Sequence, residues 1–239
     1  PGLETARFNA TFRDDGIWKK LEGEAGSGAR GIGRSAAKIL YVGRVSVEKN
    51  LPALTAIWKD VNRRCLAANA PADLVIVGDG PYRSQMQKEL KGLNAHFLGF
   101  RHGDELSTIY ASADVFAFPS TTDTLGQVVM ESQSSGLPVI VTDQGGPKEV
   151  VDHGRTGYVL PADDLDAWAA HIAELAIDHG LRTRMGAAAA ESMQKYDIQH
   201  SFEHFWAVHV DAWHAHLKTL GIEKKGPGQQ VPGAGVGVG

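Results

Sequence analysis

Six short apolar runs recur along the chain: Ile39–Val42, Leu74–Val77, His96–Leu98, Val115–Phe118, Val139–Val141 and Tyr158–Leu160. They are nearly continuous Val, Ile, Leu and Phe, without the polar alternation of a half-exposed strand. That pattern predicts strands buried on both faces, as in a parallel sheet. Between them lie segments with helical spacing, Leu51–Leu66, Tyr82–Leu90, Glu105–Ala113, Leu125–Ser134 and Lys148–Asp152. The alternation predicts an α/β fold built on a doubly wound parallel sheet. On such sheets ligands bind beyond the carboxyl ends of the strands, so the loops that leave them are where chemistry is expected.

The flanks read differently. Residues 1–37 are polar and glycine-rich with no strand pattern, and predict a linker or N-terminal extension carrying a short helix, Asp14–Leu21. After the last strand come three predicted helices, Leu165–Ile177, Leu181–Gln194 and Ser201–Leu220. The last bears a stripe of Phe202, Phe205, Trp206, Val210, Trp213, Leu217 and Leu220 at helical spacing. The Gly-, Pro-, Val- and Gln-rich tail lacks large apolar groups and is expected to be disordered. These limits divide the chain into 1–37, a domain at 38–220, and a tail at 221–239.

Composition narrows the partners. The 239 residues are 43% hydrophobic, enough for a substantial core, and carry a formal net charge of −4. With a mean hydropathy of −0.20 and a pI near 6.2, the chain is a poor fit to broad nucleic-acid binding, which favours a basic surface. Any cations that hold phosphate must be local. No apolar run is long enough to span a bilayer, and the polar N-terminus does not resemble a signal peptide. Cys65 stands alone, so neither an intrachain disulfide nor a cysteine zinc cluster can form; a reducing cytoplasm fits.

The richest segment runs from Pro119 to Thr142, where a strand leads through a polar loop into a helix opening around Leu125 and Gly126. Asp123 stands before that helix and Glu131 inside it, separated by roughly 12 Å if the segment is mostly helical. Between them lie the unpaired amides of a helix N-terminus, which attract anions. Two carboxylates for hydroxyls and an amide cradle for phosphate suit a nucleotide-diphosphate sugar. Arg44 and Lys49, in the loop after the first strand, are two cations placed to hold a pyrophosphate. By spacing alone, Arg44 and Lys49 fit an ordinary solvated loop as well, and Thr122 or Asp123 fits plain helix capping.

The Asp123-x7-Glu131 segment resembles the acidic-x7-acidic motif in the donor domain of retaining GT-B glycosyltransferases of family 4. It departs at Asp123, where that family usually has Glu. The Gly43-Arg44-x4-Lys49 loop matches the family's phosphate-binding Arg and Lys. The start, Pro1-Gly2-Leu3-Glu4-Thr5-Ala6-Arg7-Phe8, is similar to its inter-domain hinge, and Gly145-Gly146-Pro147-Lys148-Glu149 to a loop near the donor. The resemblance covers roughly residues 1–220. It implies a Rossmann-like C-terminal half of a GT-B fold with extra C-terminal helices, binding a UDP- or GDP-sugar without a cofactor or metal. In that reading Arg44 and Lys49 stabilise the leaving diphosphate and Asp123 contacts the hexose. Glu131 holds the ribose, Gly126, Gln127 and Leu125 form the cradle, and Phe100 and Arg101 lie where the family reads the nucleobase through backbone groups.

The hinge-like start implies that the acceptor domain is missing from this chain, which by itself would be inactive. The acceptor, glycan or lipid, is left open. The enzyme is expected in the cytoplasm, peripheral to a membrane through the missing domain if at all. Two other readings share the residues: a nucleotide-sugar 2-epimerase of the same fold, and a non-catalytic nucleotide-sugar-binding module.

Three motifs are set aside. Gly26-x-Gly28-x-x-Gly31 precedes the first strand instead of following it, so it lacks the dinucleotide-binding context. Asp164-Leu165-Asp166 sits where a helix begins and reads as acidic capping. His200 and His204, four apart, have no matching third ligand.

Overall fold

The computed structural model describes residues 7–22, 31–33 and 35–196, and residues 206, 209, 210, 212, 213 and 216 beyond them. The chain divides into two units, Pro1–Ile198 and Gln199–Gly239.

In the first unit the apolar runs become six strands: β1 (Ala37–Val42), β2 (Ala72–Val77), β3 (Ala95–Gly99), β4 (Val115–Phe118), β5 (Val139–Thr142) and β6 (Gly157–Leu160). They form one sheet in the order β3-β2-β1-β4-β5-β6, and every neighbouring pair is parallel. All positions of β1, β2, β4 and β5 are buried. This is why the runs lack polar alternation: helices cover both faces.

The helices are α1 (Gly16–Glu22), α2 (Leu51–Ala67), α3 (Arg83–Glu89), α4 (Gly103–Ser112), α5 (Gln127–Ser134), α6 (Leu165–Ile177) and α7 (His179–Met193). α2 packs along α6, and α5 along α7. Local chemistry sets several starts. Asp164 caps α6 by accepting from the Ala167 amide at 3.0 Å, as the acidic-capping reading expected, and Asp178 caps α7 through the Leu181 amide at 2.8 Å. Asn50 takes a left-handed backbone (φ 55°) to launch α2, a conformation Asn tolerates better than most residues.

One predicted α-helix is lost, and the starts of four others (α1, α4, α5 and α7) move by two residues. Lys148–Asp152 forms only a 3₁₀ turn, Pro147–Val150, because it is too short to return the cost of nucleating an α-helix. The helix placed at Leu125 begins two residues later, at Gln127.

The segment before β1 adds Phe8, Ile17, Trp18, Leu21 and Ile32 to the same buried cluster as the sheet. Ser112 at the end of α4 holds it in place, accepting from the Asp14 amide (2.9 Å) and donating to the Asp14 carbonyl (3.1 Å).

In the second unit Trp206, His209, Val210, Ala212, Trp213 and His216 are helical, and both tryptophans are exposed. Phe202, Phe205, Leu217, Leu220, His200, His204 and the tail lie outside the described residues. Among the described residues no helix is long and apolar enough to cross a membrane.

The strand order fixes where a ligand can sit. From β1 the chain builds outward to β2 and β3, then returns to lay β4 on the other side of β1. The loops leaving β1 and β4 therefore part in opposite directions and open a crevice between them, the switch point of a doubly wound sheet.

Candidate functional site

The β1 exit loop is pinned over the end of β2. The Gly43 amide donates to the Val77 carbonyl (3.0 Å), the Val45 amide to Asp79 (2.9 Å), and the Tyr82 amide back to Val45 (3.0 Å). So close an approach needs glycine on the facing turn: a Cβ on Gly80 would stand 2.3 Å from the Val45 carbonyl oxygen. The loop leaves Arg44 exposed. With Asp79, Gly80, Pro81 and Phe100, Arg44 lines an open cavity of about 530 Å³ beyond the carboxyl ends of β1, β2 and β3.

A 3₁₀ turn, Val47–Lys49, then carries Lys49 toward the β4 loop. Its ammonium donates to both oxygens of Asp123, each at 2.8 Å, and both side chains are 24% exposed. This ion pair joins residues 74 positions apart across the switch point. A second tie runs from the Thr122 hydroxyl to the Glu48 carbonyl at 3.5 Å. Beneath the pair, the Tyr41 ring stacks on Phe118 (5.9 Å between centroids, 17° between planes), and its hydroxyl donates to the Arg44 carbonyl at 3.0 Å. Burial, and then the charge of Asp123, push the Tyr41 phenol well above its usual range.

The Gly145-Gly146-Pro147 turn braces the β4 loop from outside. The Gly146 amide donates to the Asp123 carbonyl at 2.8 Å. A Cβ on Gly146 would fall 1.8 Å from the Thr124 carbonyl oxygen, and Gly145 sits at φ +77°. Pro147 closes against Gly126, where a Cβ would stand 2.9 Å from the proline ring. These glycines are present because two backbones meet there.

Gly126 is the N-cap of α5, at φ 67°, and no side chain caps the helix. The capping alternative is thereby corrected: neither Thr122 nor Asp123 caps it, and Asp123 is spent on Lys49. A left-handed glycine turns the chain into the helix without a side-chain acceptor, and its opening amides stay available to an anion. Leu125 precedes the helix and is exposed.

One turn in, Glu131 is only 9% exposed. Its Oε2 accepts from the Tyr110 hydroxyl at 3.1 Å and its Oε1 from the Gln127 amide at 3.3 Å. Burial raises its carboxyl above the ordinary range; the two donors, and Arg7 at longer range, oppose that rise.

The sequence-derived residues thus gather in three groups: Arg44 with Phe100, Lys49 with Asp123, and Gln127 with Glu131. Arg101, assigned through its backbone, carries its side chain toward α4. Its guanidinium lies 3.4 Å from Glu105 at the start of α4, and only 15% of the side chain is exposed. Tyr110 was not singled out by the sequence, since within an apolar helix pattern it reads as core. Among the described residues no three His, Cys, Asp or Glu side chains are grouped to hold a metal.

Comparison with known proteins places this chain. The sequence model of the glycosyl transferases group 1 family matches residues 28–192. Sulfoquinovosyl transferase SQD2 of Arabidopsis thaliana is 34% identical over 200 residues, covering 82% of this chain and 36% of its own length. A GDP-mannose-dependent alpha-mannosyltransferase of Corynebacterium glutamicum is 32% identical over 193 residues, 81% of this chain and 42% of that protein. Among solved structures, Anabaena HepE in complex with UDP and glucose superposes with a TM-score of 0.65 at 20% identity, over 86% of this chain and 55% of that one. The chain belongs to the glycosyl transferases group 1 family and has the Rossmann-like fold of a GT-B C-terminal domain. It spans between a third and a half of the length of these two curated relatives.

Proposed function

We propose that this chain is the donor-binding domain of a retaining glycosyltransferase and holds a nucleoside-diphosphate sugar at the crevice between β1 and β4. The carrying observation is the meeting of Lys49 and Asp123 across the switch point, beside the uncapped start of α5. One cation, one hydroxyl-binding carboxylate and a set of free amides converge there. A second carboxylate, Glu131, lies one turn along the same helix.

In this reading the nucleoside lies toward the Arg44–Phe100 cavity and Glu131 accepts from the ribose hydroxyls. The diphosphate rests on the opening amides of α5, and the hexose reaches Asp123. When the bond from the anomeric carbon to the phosphate oxygen breaks, charge grows on the departing diphosphate. In this reading Arg44 and Lys49 take up that charge. Such a site accelerates transfer through positioning and preformed electrostatics. The acceptor is expected to be held by a further domain of the whole protein, as the greater length of the relatives suggests. The names of the relatives and the neighbour offer both GDP-mannose and UDP as donor chemistries.

Titration calorimetry of the chain with UDP, GDP, UDP-glucose and GDP-mannose tests the reading. Saturable binding of at least one nucleoside diphosphate, with no sugar transferred by the chain alone, is expected. A folded chain that gives no heat with any of them refutes it.

A further inference from the structure

Tyr110 contributes one of the largest fully buried side chains of the domain. Its ring meets Phe8 edge-on (5.5 Å, 89°) and Phe116 at 5.9 Å. Phe8 is itself fastened, its carbonyl accepting from the Ser134 hydroxyl at 2.6 Å. So the phenol is clamped between the segment that enters the domain and the central sheet. Among the described residues its hydroxyl has one hydrogen-bond partner, Glu131 Oε2, to which it donates.

The two Glu131 oxygens are therefore not equivalent. Oε2 faces a donor that solvent cannot reach. Oε1 faces Gln127, an exposed side chain at the opening of α5, with a longer bond of 3.3 Å. A ligand hydroxyl can take the place of Gln127, but nothing from solvent can take the place of Tyr110. We propose that Tyr110 is a positioning residue: it holds Glu131 ionised and fixed through Oε2, so that Oε1 is the oxygen presented to the ligand's ribose. The inference rests on the donor-site reading and adds to it a residue and an atom assignment.

The electrostatics support this assignment. A carboxylate this buried tends to take up a proton, and only hydrogen bonds to its charged form resist that. Burial and the neighbouring Glu131 charge push the Tyr110 phenol far above its usual range, so it stays a donor at every working pH. The groups that act on Glu131 are Tyr110 from α4, neutral Gln127 from its own helix, and Arg7 from the entering segment. Of these, Tyr110 alone has a wholly buried hydrogen bond to the carboxylate.

Tyr110→Phe removes one oxygen and keeps the ring. UDP and GDP, with inorganic diphosphate as the ribose-free control, are titrated into wild type and variant from pH 5 to 8. Loss of a hydrogen bond to a charged group predicts about tenfold weaker binding of whichever nucleoside diphosphate the wild type takes. Inorganic diphosphate should bind equally to both proteins. The acid limb of the nucleotide profile should move to higher pH, because Glu131 then protonates more readily. In a Glu131→Gln background the same change should have no further effect on binding, which separates positioning from general loosening. An acid limb that stays where it is in wild type, or an equal loss for inorganic diphosphate, overturns the proposal. If wild type binds neither UDP nor GDP, the donor-site reading fails first, and this proposal with it.

Discussion

Lys49 enters any encounter with a phosphate already neutralised, and this has a measurable consequence. Its ammonium is held by both Asp123 oxygens at 2.8 Å, with each side chain about three-quarters covered. Two unit charges 4 Å apart attract by about 4 kcal/mol at the effective dielectric of a protein surface. Desolvation and side-chain ordering reduce the net worth of exposed pairs to about 1 kcal/mol or less. A bidentate, largely covered pair belongs at or above that level, about 1–2 kcal/mol. A diphosphate that recruits Lys49 must offset this amount. Asp123→Asn lifts most of the requirement, so free UDP or GDP should bind about five- to thirtyfold more tightly. The gain should vanish in a Lys49→Ala background, where no ammonium is left to release. The nucleotide sugar should gain less than the free diphosphate, because the variant also weakens the carboxylate assigned to the hexose. Calorimetry on wild type, both single variants and the double variant reads all of this. Unchanged or weaker binding of free diphosphate to Asp123→Asn would refute the reasoning and leave the ion pair as a structural clasp between two loops.

Two further expectations follow from the same geometry. Gly146→Ala places a methyl 1.8 Å from the Thr124 carbonyl oxygen; the β4 loop must shift, with an expected stability loss of about 1–3 kcal/mol and weakened nucleotide binding, read by thermal melting and calorimetry. Glu131→Gln should make the domain more stable at pH 7. The folded carboxyl has a raised pKa, so the folded state holds its proton more firmly than the unfolded one, and stability falls as pH rises through the folded value. Removing the ionisable group removes that fall; a variant whose denaturant midpoint shows the same pH dependence as wild type would contradict it.

The strands were legible because burial on both faces leaves an unbroken apolar signature, and each predicted run falls within the observed strand. The loops were legible as candidates because strand exits in such a fold are where ligands bind. Strand order was not legible. Apolar runs carry no record of which strand neighbours which, so the adjacency of β1 and β4, and with it the meeting of Lys49 and Asp123, came only with the structure. The start of α5 was misplaced for a local reason. Asp and Thr just before a helical pattern are strong capping signals, yet the turn is made by Gly126 in a conformation that needs no side-chain acceptor.

That misplacement bears on the departure at Asp123. A carboxylate used as a cap would be turned back toward the amides of α5 and would occupy the place proposed for phosphate. Paired with Lys49 instead, it leaves those amides open and bridges the crevice. An Asp reaches about one carbon–carbon bond, roughly 1.5 Å, less far than a Glu, and here both its oxygens still meet the lysine. The brace behind it is backbone: the Gly146 amide on the Asp123 carbonyl and two glycines with no room for a Cβ. The loop that carries the shorter acid is therefore held in position independently of that acid's side chain. In the proposed role, exchanging lysine for a sugar hydroxyl would ask for a change of the Asp123 side chain and not of the braced backbone that carries it.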